Sequence, residues 1–512
     1  MSSRLSHGSP HHGPSLPSAS GPPDAHKDDA VAVSNPSTTP PTVDVGPLIE
    51  QQKPGRFWLS LFVVSWVITF LVGFDSQITS FAGRYIKASF ELSDSELGML
   101  GTVGLLGTLI GCLSRGYLGD LIGRRPSIMV SIVGFGAFVL LLALSQNYAQ
   151  LVTLRFAAGF FLGGVLPLIW ALNTEFAPSR FRSTSVGIIM LGYSLGSATG
   201  APVSNLLIPR FGWQSVFVAG GIVSLLAVIP VALMLPESVK FLAQRGMSQR
   251  RIAEIMTRVL PGSRFPEGTR FVVGSGEVDD GRFTPAQLFR GPLARITSLM
   301  WIAYACSAAV IFYLAFWGPI LNERLGYSIG AAATIAAATA ISGAVGQLVI
   351  SRFLDNKGIG TIAVVPMLAV PCLLLIGLLP LGPTAYIVVL LVANFLVIGA
   401  HGGMHSLSVI FYRPSLRANG GAWALSVSKV GAMLGPWLAG AIMDWGFSAQ
   451  STFFVFALFP IVMSVMLFAL GRLQRTLPPD AEGALVTSSY ATEPCDLTVR
   501  CPRQDSNLRP RD

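Results

Sequence analysis

An acidic residue lies inside an apolar stretch near the start of the chain. The segment LFVVSWVITFLVGFDSQITSF contains Asp75. A charge at membrane depth costs about 2.5–3.5 kcal/mol on insertion scales, so a residue of this kind needs a reason to be there. A carboxylate in a low-dielectric cavity holds a proton more readily, and a neighbouring cation reverses that preference. Asp75 is therefore predicted to take up and release a proton; the alternative is a purely structural acid.

Two cations interrupt other apolar stretches, Arg155 and Lys429. An α-helix rises about 1.5 Å per residue. Asp75 therefore lies about 27 Å from Phe57, the residue at the inner end of its predicted span. Arg155 lies roughly 9 Å from the outer end of its own predicted span. In a bilayer of about 40 Å these depths nearly coincide, so Asp75 and Arg155 are predicted to meet. Lys429, about 16 Å from the inner end of its span, is predicted to attract a carboxylate. The alternatives are a helix-packing ion pair for Arg155 and snorkelling for Lys429.

Ring side chains are predicted to complete this site. His401 lies at a depth comparable to that of Lys429. Rings with an apolar face and a polar tip suit an aromatic ligand. The candidates are Tyr304, Tyr313, Trp317 and Trp423. The alternative for them is packing or an interfacial aromatic belt. His401 and His405 are one helical turn apart, as in some metal sites, but no Cys or carboxylate ligand is evident nearby, so no metal is predicted.

The composition indicates that membrane helices position these residues. The 512-residue chain is 51% hydrophobic and only 12% charged, with a mean hydropathy of +0.60. A soluble protein of this size needs more charge to cover its surface. The net charge of +9 lies mostly in short loops, which indicates membrane orientation and not nucleic-acid binding. No nucleophile–base set, phosphate loop or metal-ligand spacing is recognisable, so neither an enzyme nor a cofactor is expected.

Apolar runs of roughly twenty residues predict twelve membrane helices. A polar loop at 237–294 separates a six-helix bundle at 56–236 from a second one at 295–475. Residues 1–55 and 476–512 are predicted to be disordered tails. In the loop, RRIAEIMTRVL is predicted to form an amphipathic helix on the membrane surface. The predicted spans are 57–79, 96–114, 126–145, 149–174, 183–205, 213–235, 295–320, 329–352, 360–380, 385–410, 419–442 and 449–470.

The distribution of basic residues predicts the orientation. Arg and Lys concentrate in the loops on one side of the predicted helices and in the central loop, whereas the opposite side has few, such as Arg84 and Arg324, often with acids nearby. Cytoplasmic loops carry the excess of positive charge. Both termini are therefore predicted to be cytoplasmic in a multi-pass protein of the inner membrane.

The two predicted bundles share sequence features. GDLIGRR at 119–125 has a weaker counterpart in LDNKG at 354–358, and PSRFR at 178–182 has one in PSLR at 414–417. The second pair precedes glycine-rich helices, whose spacing allows close helix approach. Repeated helical halves around a central site are the architecture of secondary transporters.

These motifs resemble those of a known family. GYLGDLIGRR at Gly116–Arg125 closely resembles the loop 2–3 signature of the major facilitator superfamily, RFAAGFFLGG at Arg155–Gly164 its fourth-helix motif, and PESVKFL at Pro236–Leu242 its sixth-helix end. GGAWALSVSKVGAMLGPWLAG at Gly420–Gly440 is similar to the aromatic acid/proton symporter family within it. The resemblance covers residues 56–475 and implies an all-α membrane protein of two pseudo-symmetric six-helix bundles.

The resemblance also implies a gate, and the sequence differs from the family's pattern at two positions. Asp120 would contact the inner end of the eleventh helix in the outward-open state and release it on switching. The helix 1 pattern of the symporter family is D-G-x-D, but Val72 occupies its first acidic position, and Lys429 stands where members commonly have Arg. Both differences affect the choice of substrate. The predicted gate residues are Gly116, Asp120, Gly123, Arg124, Arg125, Glu175, Arg182, Asp355 and Arg417.

Together these features predict a proton symporter that imports an aromatic or related organic carboxylate by alternating access. Its partners would be the organic acid, protons and the lipid bilayer, and it is expected to act as a monomer. One alternative is transport of a sugar, an aliphatic acid or an exported compound, since Gly187, Gly196, Gly200 and Pro202 partly resemble an exporter motif. A second alternative is a transporter-like sensor that binds a ligand without net flux.

Overall fold

The structure is a computed structural model of the chain. It describes residues 42–50, 55–178, 182–263, 265–266, 268–272, 284–357, 359–405, 407, 411–412 and 414–476. Most of these residues are helical. The described part begins with strand β1, Thr42–Asp44, and the short helix α1, Val45–Glu50.

The N-terminal half consists of long helices that run up and down in alternation. Glu91, with φ of 52°, ends the first of them, and a capping box formed by Ser93 and Glu96 starts the next, so the chain reverses within a few residues. Two of the six rods are interrupted, at Gly164 and at Ala227. The helices are α2 Arg56–Phe90, α3 Asp94–Ile122, α4 Arg124–Leu142, α5 Tyr148–Gly163, α6 Val165–Phe176, α7 Arg182–Phe211, α8 Gln214–Leu226 and α9 Val228–Met234.

A connecting segment and a second set of long helices follow. The connection contains α10 Val239–Gln244, α11 Gln249–Val259, strand β2 Arg270–Val272 and a 3₁₀ turn at Pro285–Phe289. The C-terminal half repeats the alternation, with its last rod interrupted at Ala457. Its helices are α12 Leu293–Arg324, α13 Ile329–Lys357, α14 Ile359–Leu378, α15 Pro383–Met404, α16 Pro414–Asp444, α17 Ala449–Phe456 and α18 Leu458–Thr476.

The hydropathy of these helices agrees with a membrane protein. Within the described residues, ten helices or interrupted rods are long and apolar enough to cross a bilayer. Helix α14 contributes a shorter apolar segment, Ile362–Leu378, and α7 is not among the ten. The predicted class, a helical bundle of two repeated halves, is thus found, whereas length and hydropathy confirm ten of the twelve predicted spans.

In both halves, a glycine allows two helices to pack in close contact. A Cβ on Gly196 of α7 would overlap the backbone carbonyl of Phe70 in α2, and a Cβ on Gly431 of α16 would overlap that of Ala305 in α12. In each half a glycine therefore lets the first and fifth long rods touch at their backbones. This equivalence supports the repeat seen in the sequence.

We call the end where α3 begins the Asp94 end, and the end where α6 stops the Glu175 end.

The contacts of the connecting segment contradict two predictions. β1 pairs in parallel with β2, and α1 buries Val45 and Ile49 in the same apolar cluster as Met256 of α11 and Phe271 of β2. Residues 42–50 are therefore ordered, and the predicted disordered tail of 1–55 extends too far. The apolar face of α11 packs onto the N-terminal half at the Glu175 end. The prediction that this helix lies on the membrane surface is wrong, because the protein itself covers that face.

Candidate functional site

Asp75 and Arg155 form a buried ion pair between α2 and α5. Arg155 Nη1 donates to both carboxylate oxygens of Asp75, at 3.1 and 3.2 Å. The two residues are 3% and 9% exposed. The contact expected from their depths is thus present. Its low exposure means that either charge would be costly without the other.

Small residues make room for this pair. A Cβ on Gly104 of α3 would lie 2.9 Å from Arg155 Nε, so glycine at this position admits the guanidinium. On the other side, Ser76 and Ser197 are 3.3 Å apart, and Ser197 donates to the carbonyl of Gly73 at 3.1 Å. Helices α2, α3 and α7 therefore enclose the pair with short side chains and backbone.

Lys429 lies on α16 beside an aromatic ring and an imidazole. Its ammonium is 5.5 Å from the ring centroid of Phe312, and it interacts electrostatically with Cys112 across the two halves and with His401. Among the described residues, no Asp or Glu oxygen lies within ion-pair distance of Lys429 Nζ. A cation held in this way favours an anionic ligand.

Two histidines on consecutive turns at the end of α15 are each held by a hydroxyl group of α12. His401 Nδ1 is 2.9 Å from Ser307 Oγ, and His405 Nδ1 is 3.4 Å from the hydroxyl of Tyr304. The two imidazole centroids are 5.4 Å apart. Sequence reasoning proposed His401 but assigned no role to Ser307. No group of three or more potential metal ligands occurs in the described ranges.

The predicted aromatic residues separate into two groups. Trp423 is half-buried and stacks on Trp301 at 6.1 Å, beside the helix ends that carry the histidines. Tyr313 and Trp317 are fully buried instead. The hydroxyl of Tyr313 pairs with Thr452 at 2.7 Å, and Trp317 donates to the carbonyl of Pro436 at 2.9 Å. Tyr313 and Trp317 pack in the core near the Asp94 end, so the structure does not place them with Lys429 as predicted.

Part of the predicted gate forms a connected set at the Glu175 end. Arg124 pairs with Glu175, and Arg125 donates to the carbonyl of Ala232. Glu237 accepts the backbone N–H groups of Arg124 and Arg125 at 2.9 and 3.2 Å, which caps the N-terminus of α4. Gly123, with φ of +103°, makes the turn before them. Glu237 is the residue that the predicted gate lacked, although its motif had been noticed.

The remaining predicted gate residues cannot be compared with the structure. Their backbone belongs to described helices, but their side chains lie outside the described part of the chain. They are Gly116, Asp120, Arg182, Asp355 and Arg417.

Charged residues at the Asp94 end join the two halves. Arg84 pairs with Glu323 at 2.6 Å, and Arg324 pairs with Asp94 at 2.5 Å. The carboxylate of Asp444 accepts the backbone N–H groups of Asp94 and Ser95 at 2.9 and 2.8 Å. The C-terminal half thereby caps a helix of the N-terminal half. We call these contacts the Asp94-end latch.

The latch was not predicted, and it is continued inward by backbone contacts. Ser80 donates to the carbonyl of Phe316, and Thr102 donates to that of Met433 at 2.8 Å. Arg84 and Arg324 were visible in the sequence as isolated cations with acids nearby. These cations were the only sign of the latch in the sequence, but the acids that pair with them are far away along the chain.

Comparison with known proteins gives a consistent result. Residues 65–425 match the Major Facilitator Superfamily. A gallate transporter of Pseudomonas putida is 30% identical over 438 residues, which cover 85% of this chain and 97% of that protein. The 4-hydroxybenzoate transporter PcaK of Acinetobacter baylyi is 30% identical over 412 residues, 80% of this chain and 90% of that protein. A solved bacterial homolog of the human lysosomal transporter Spinster, in an inward-facing and occupied conformation, has a TM-score of 0.65 at 17% identity, and covers 83% of this chain and 100% of that one.

Proposed function

This chain belongs to the Major Facilitator Superfamily, and on that premise we propose that it is a proton-coupled symporter which imports an aromatic carboxylate by alternating access. The family consists of multi-pass membrane transporters, so the chain is a membrane transporter, in agreement with its apolar helices. We propose its substrate class, its coupling to protons and the direction of transport from the residues described above.

The observation that carries the substrate class is the environment of the cation Lys429. It has aromatic and imidazole neighbours, Phe312 and His401, and no acidic partner among the described residues. A substrate carboxylate would supply the missing counter-ion, and an aromatic ring would contact the neighbouring rings. The relatives named above, a gallate transporter and a 4-hydroxybenzoate transporter, agree with this chemistry.

The proposed proton site is the pair Asp75–Arg155. A carboxylate beside a guanidinium stays ionised, and it accepts a proton when the guanidinium moves away or when the cavity becomes drier. Movement of α5 relative to α2 would separate the guanidinium from the carboxylate, and this is the step at which we propose that a proton binds or leaves. Proton binding outside and release inside would couple the gradient to substrate movement.

We propose that the Glu175 end and both termini are cytoplasmic, and the concentration of basic residues in the loops supports this orientation. The Asp94 end would then be external, and the Asp94-end latch joins the halves there. In this proposal the conformation is inward-facing. Opening to the outside would break the latch while the gate at the Glu175 end closes, with Asp120, Arg182, Asp355 and Arg417 among its proposed members.

Uptake into proteoliposomes tests the proposal. The purified full-length protein is supplied with labelled benzoate or 4-hydroxybenzoate, with and without an imposed pH gradient, acidic outside. We expect accumulation that collapses when an ionophore removes the gradient. Accumulation that is unaffected by the ionophore would contradict proton coupling, and no uptake or binding of either acid would contradict the substrate class.

The variant Asp75→Asn tests the proton site. It keeps the shape of the side chain but cannot ionise, so we expect gradient-driven accumulation to be lost while the protein still inserts and elutes as a monodisperse species. Glu91→Gln, the same carboxyl-to-amide change at an exposed helix end, is the control. Accumulation by Asp75→Asn equal to that of the control would remove Asp75 from the proton path.

A further inference from the structure

Four long helices of the N-terminal half pack as two pairs, and the helices of each pair touch at their backbones. A Cβ on Gly73 of α2 would lie 2.0 Å from the carbonyl oxygen of Tyr193 in α7. A Cβ on Gly159 of α5 would lie 2.2 Å from the carbonyl oxygen of Gly104 in α3. Glycine at these positions permits close helix packing, so each pair is expected to move as a unit. We call these units the α2–α7 pair and the α3–α5 pair.

The ion pair of Asp75 and Arg155 joins one helix pair to the other, and a second polar contact lies beside it. This contact is further along α2 toward the Glu175 end, about 15 Å from Asp75 at the rise of an α-helix. There Asn173 of α6 donates from Nδ2 to Ser65 Oγ at 2.7 Å. The Asn173 and Ser65 side chains are buried. Nδ2 also donates to the carbonyl of Ile169 at 2.9 Å, so both of its protons are used and the side chain has one defined orientation.

The rod that carries Arg155 and the second contact is interrupted between them. Helices α5 and α6 meet at Gly164. Pro167, in the first turn of α6, has no N–H group and cannot bond to the carbonyl of Gly163. Such a break allows α5 and α6 to tilt relative to each other, so the position of Arg155 depends on how each segment is held. Contacts with α3 hold α5, and the bond to Ser65 holds α6 on α2.

We infer that Asn173 is a positioning residue for the proton site: its bond to Ser65 anchors α6 on the α2–α7 pair and thereby keeps Arg155 in register with Asp75. This inference rests on the proposed function, since it assumes that the proton binds and leaves at this ion pair. The effect of Asn173 is transmitted through the ion pair. Without the anchor, the ion pair breaks at times that do not coincide with substrate movement, and the two movements are no longer linked.

Two transport measurements on the same proteoliposomes test the inference. Accumulation of labelled 4-hydroxybenzoate under an imposed pH gradient requires coupling to protons. Exchange of labelled for unlabelled acid at equal pH requires no net proton movement. A change in the amount of folded protein alters both rates equally, so the readout is the ratio of accumulation to exchange.

Loss of the bond should lower this ratio. Asn173→Leu is similar in shape but has no donor, and we expect it to lower the ratio about fivefold, the equivalent of one hydrogen bond of average strength. Ser65→Ala removes the acceptor and should lower the ratio by a similar factor. Asn173→Gln keeps the amide and should restore part of the ratio.

Asn394→Leu is the matched control. Asn394 is a buried residue of α15 that donates to the carbonyl of Leu390 on its own helix at 3.0 Å, as Asn173 does to Ile169. This variant should keep the wild-type ratio. A wild-type ratio in Asn173→Leu or in Ser65→Ala, or an equal fall in the control, would overturn the inference and leave the proposed function intact. A wild-type protein that accumulates no acid under the gradient would overturn the proposed function and the inference with it. If Asn173→Leu does not fold, Ser65→Ala decides.

Discussion

Removal of the Asp444 carboxylate should open the Asp94 end more often. Asp444 accepts two backbone N–H groups at the start of α3, at 2.9 and 2.8 Å, from the other half of the protein. Loss of a helix cap costs about 0.5–2 kcal/mol. Because Asp444 is exposed, we take about 1 kcal/mol, from the lower part of that range. If the contact exists only when the outer end is closed, Asp444→Ala shifts the equilibrium toward the open state about fivefold.

A buried serine near the latch provides the assay. Ser204 is 3% exposed and lines a crevice at the Asp94 end between Phe81 of one half and Ala333 of the other. Ser204→Cys is introduced after the five native cysteines are replaced by serine. The rate at which a membrane-impermeant maleimide labels it from the side proposed to be external reports how often this end opens.

We expect labelling about fivefold faster in the Asp444→Ala background than in the parent, in proportion to the shift calculated above. Asp444→Asn keeps one acceptor oxygen and loses the charge, so its labelling rate should be intermediate. The control is Glu91→Ala, an exposed acid at the same end that caps α2 only through its backbone. An Asp444→Ala rate equal to that of the control would refute the idea that the latch holds the halves together.

Three further variants test other contacts. Lys429→Gln should weaken binding of 4-hydroxybenzoate about tenfold or more in a calorimetric titration, since the carboxylate loses its counter-ion; unchanged affinity would exclude the proposed carboxylate site. Glu237→Ala should lower stability by about 1–2 kcal/mol in thermal unfolding, because α4 loses its cap, whereas Glu254→Ala, which breaks an exposed helical pair, should have no measurable effect. Gly431→Ala should strongly reduce the yield of folded protein in size-exclusion chromatography, and Gly318→Ala, which has open space around it, should not; similar yields would show that the backbone contact of α16 is dispensable.

The ion pair Asp75–Arg155 was predictable because depth depends only on the helical rise. Two apolar spans with known direction suffice to place their charges at one level. The same reasoning cannot give rotation about the helix axis. Tyr304 and Tyr313 are nine residues apart on α12, which at about 100° per residue places them on opposite faces. One faces the histidines, and the other packs against Thr452. Helical periodicity would have separated them without a structure.

The latch and the β1–β2 pair were harder to predict for a different reason. Both depend on partners far apart in the chain, such as Asp94 with Asp444, or Thr42 with Arg270. Short strands and exposed charges carry little pattern of their own, and their pairing follows only after the bundles have assembled. The order of residues 42–50 therefore comes from tertiary contacts and not from local propensity.

The pairing of β1 with β2 closes the N-terminal half on itself. Strand β1, which precedes α2, pairs with strand β2, which follows α11. Together with α1 and α11, these strands pack onto the N-terminal half and form one block with it. Along the chain, the two halves are joined only by the stretch between Val272 and Leu293. If the two halves rock against each other as proposed, the number of residues in this covalent connection limits how far they can separate at the Glu175 end.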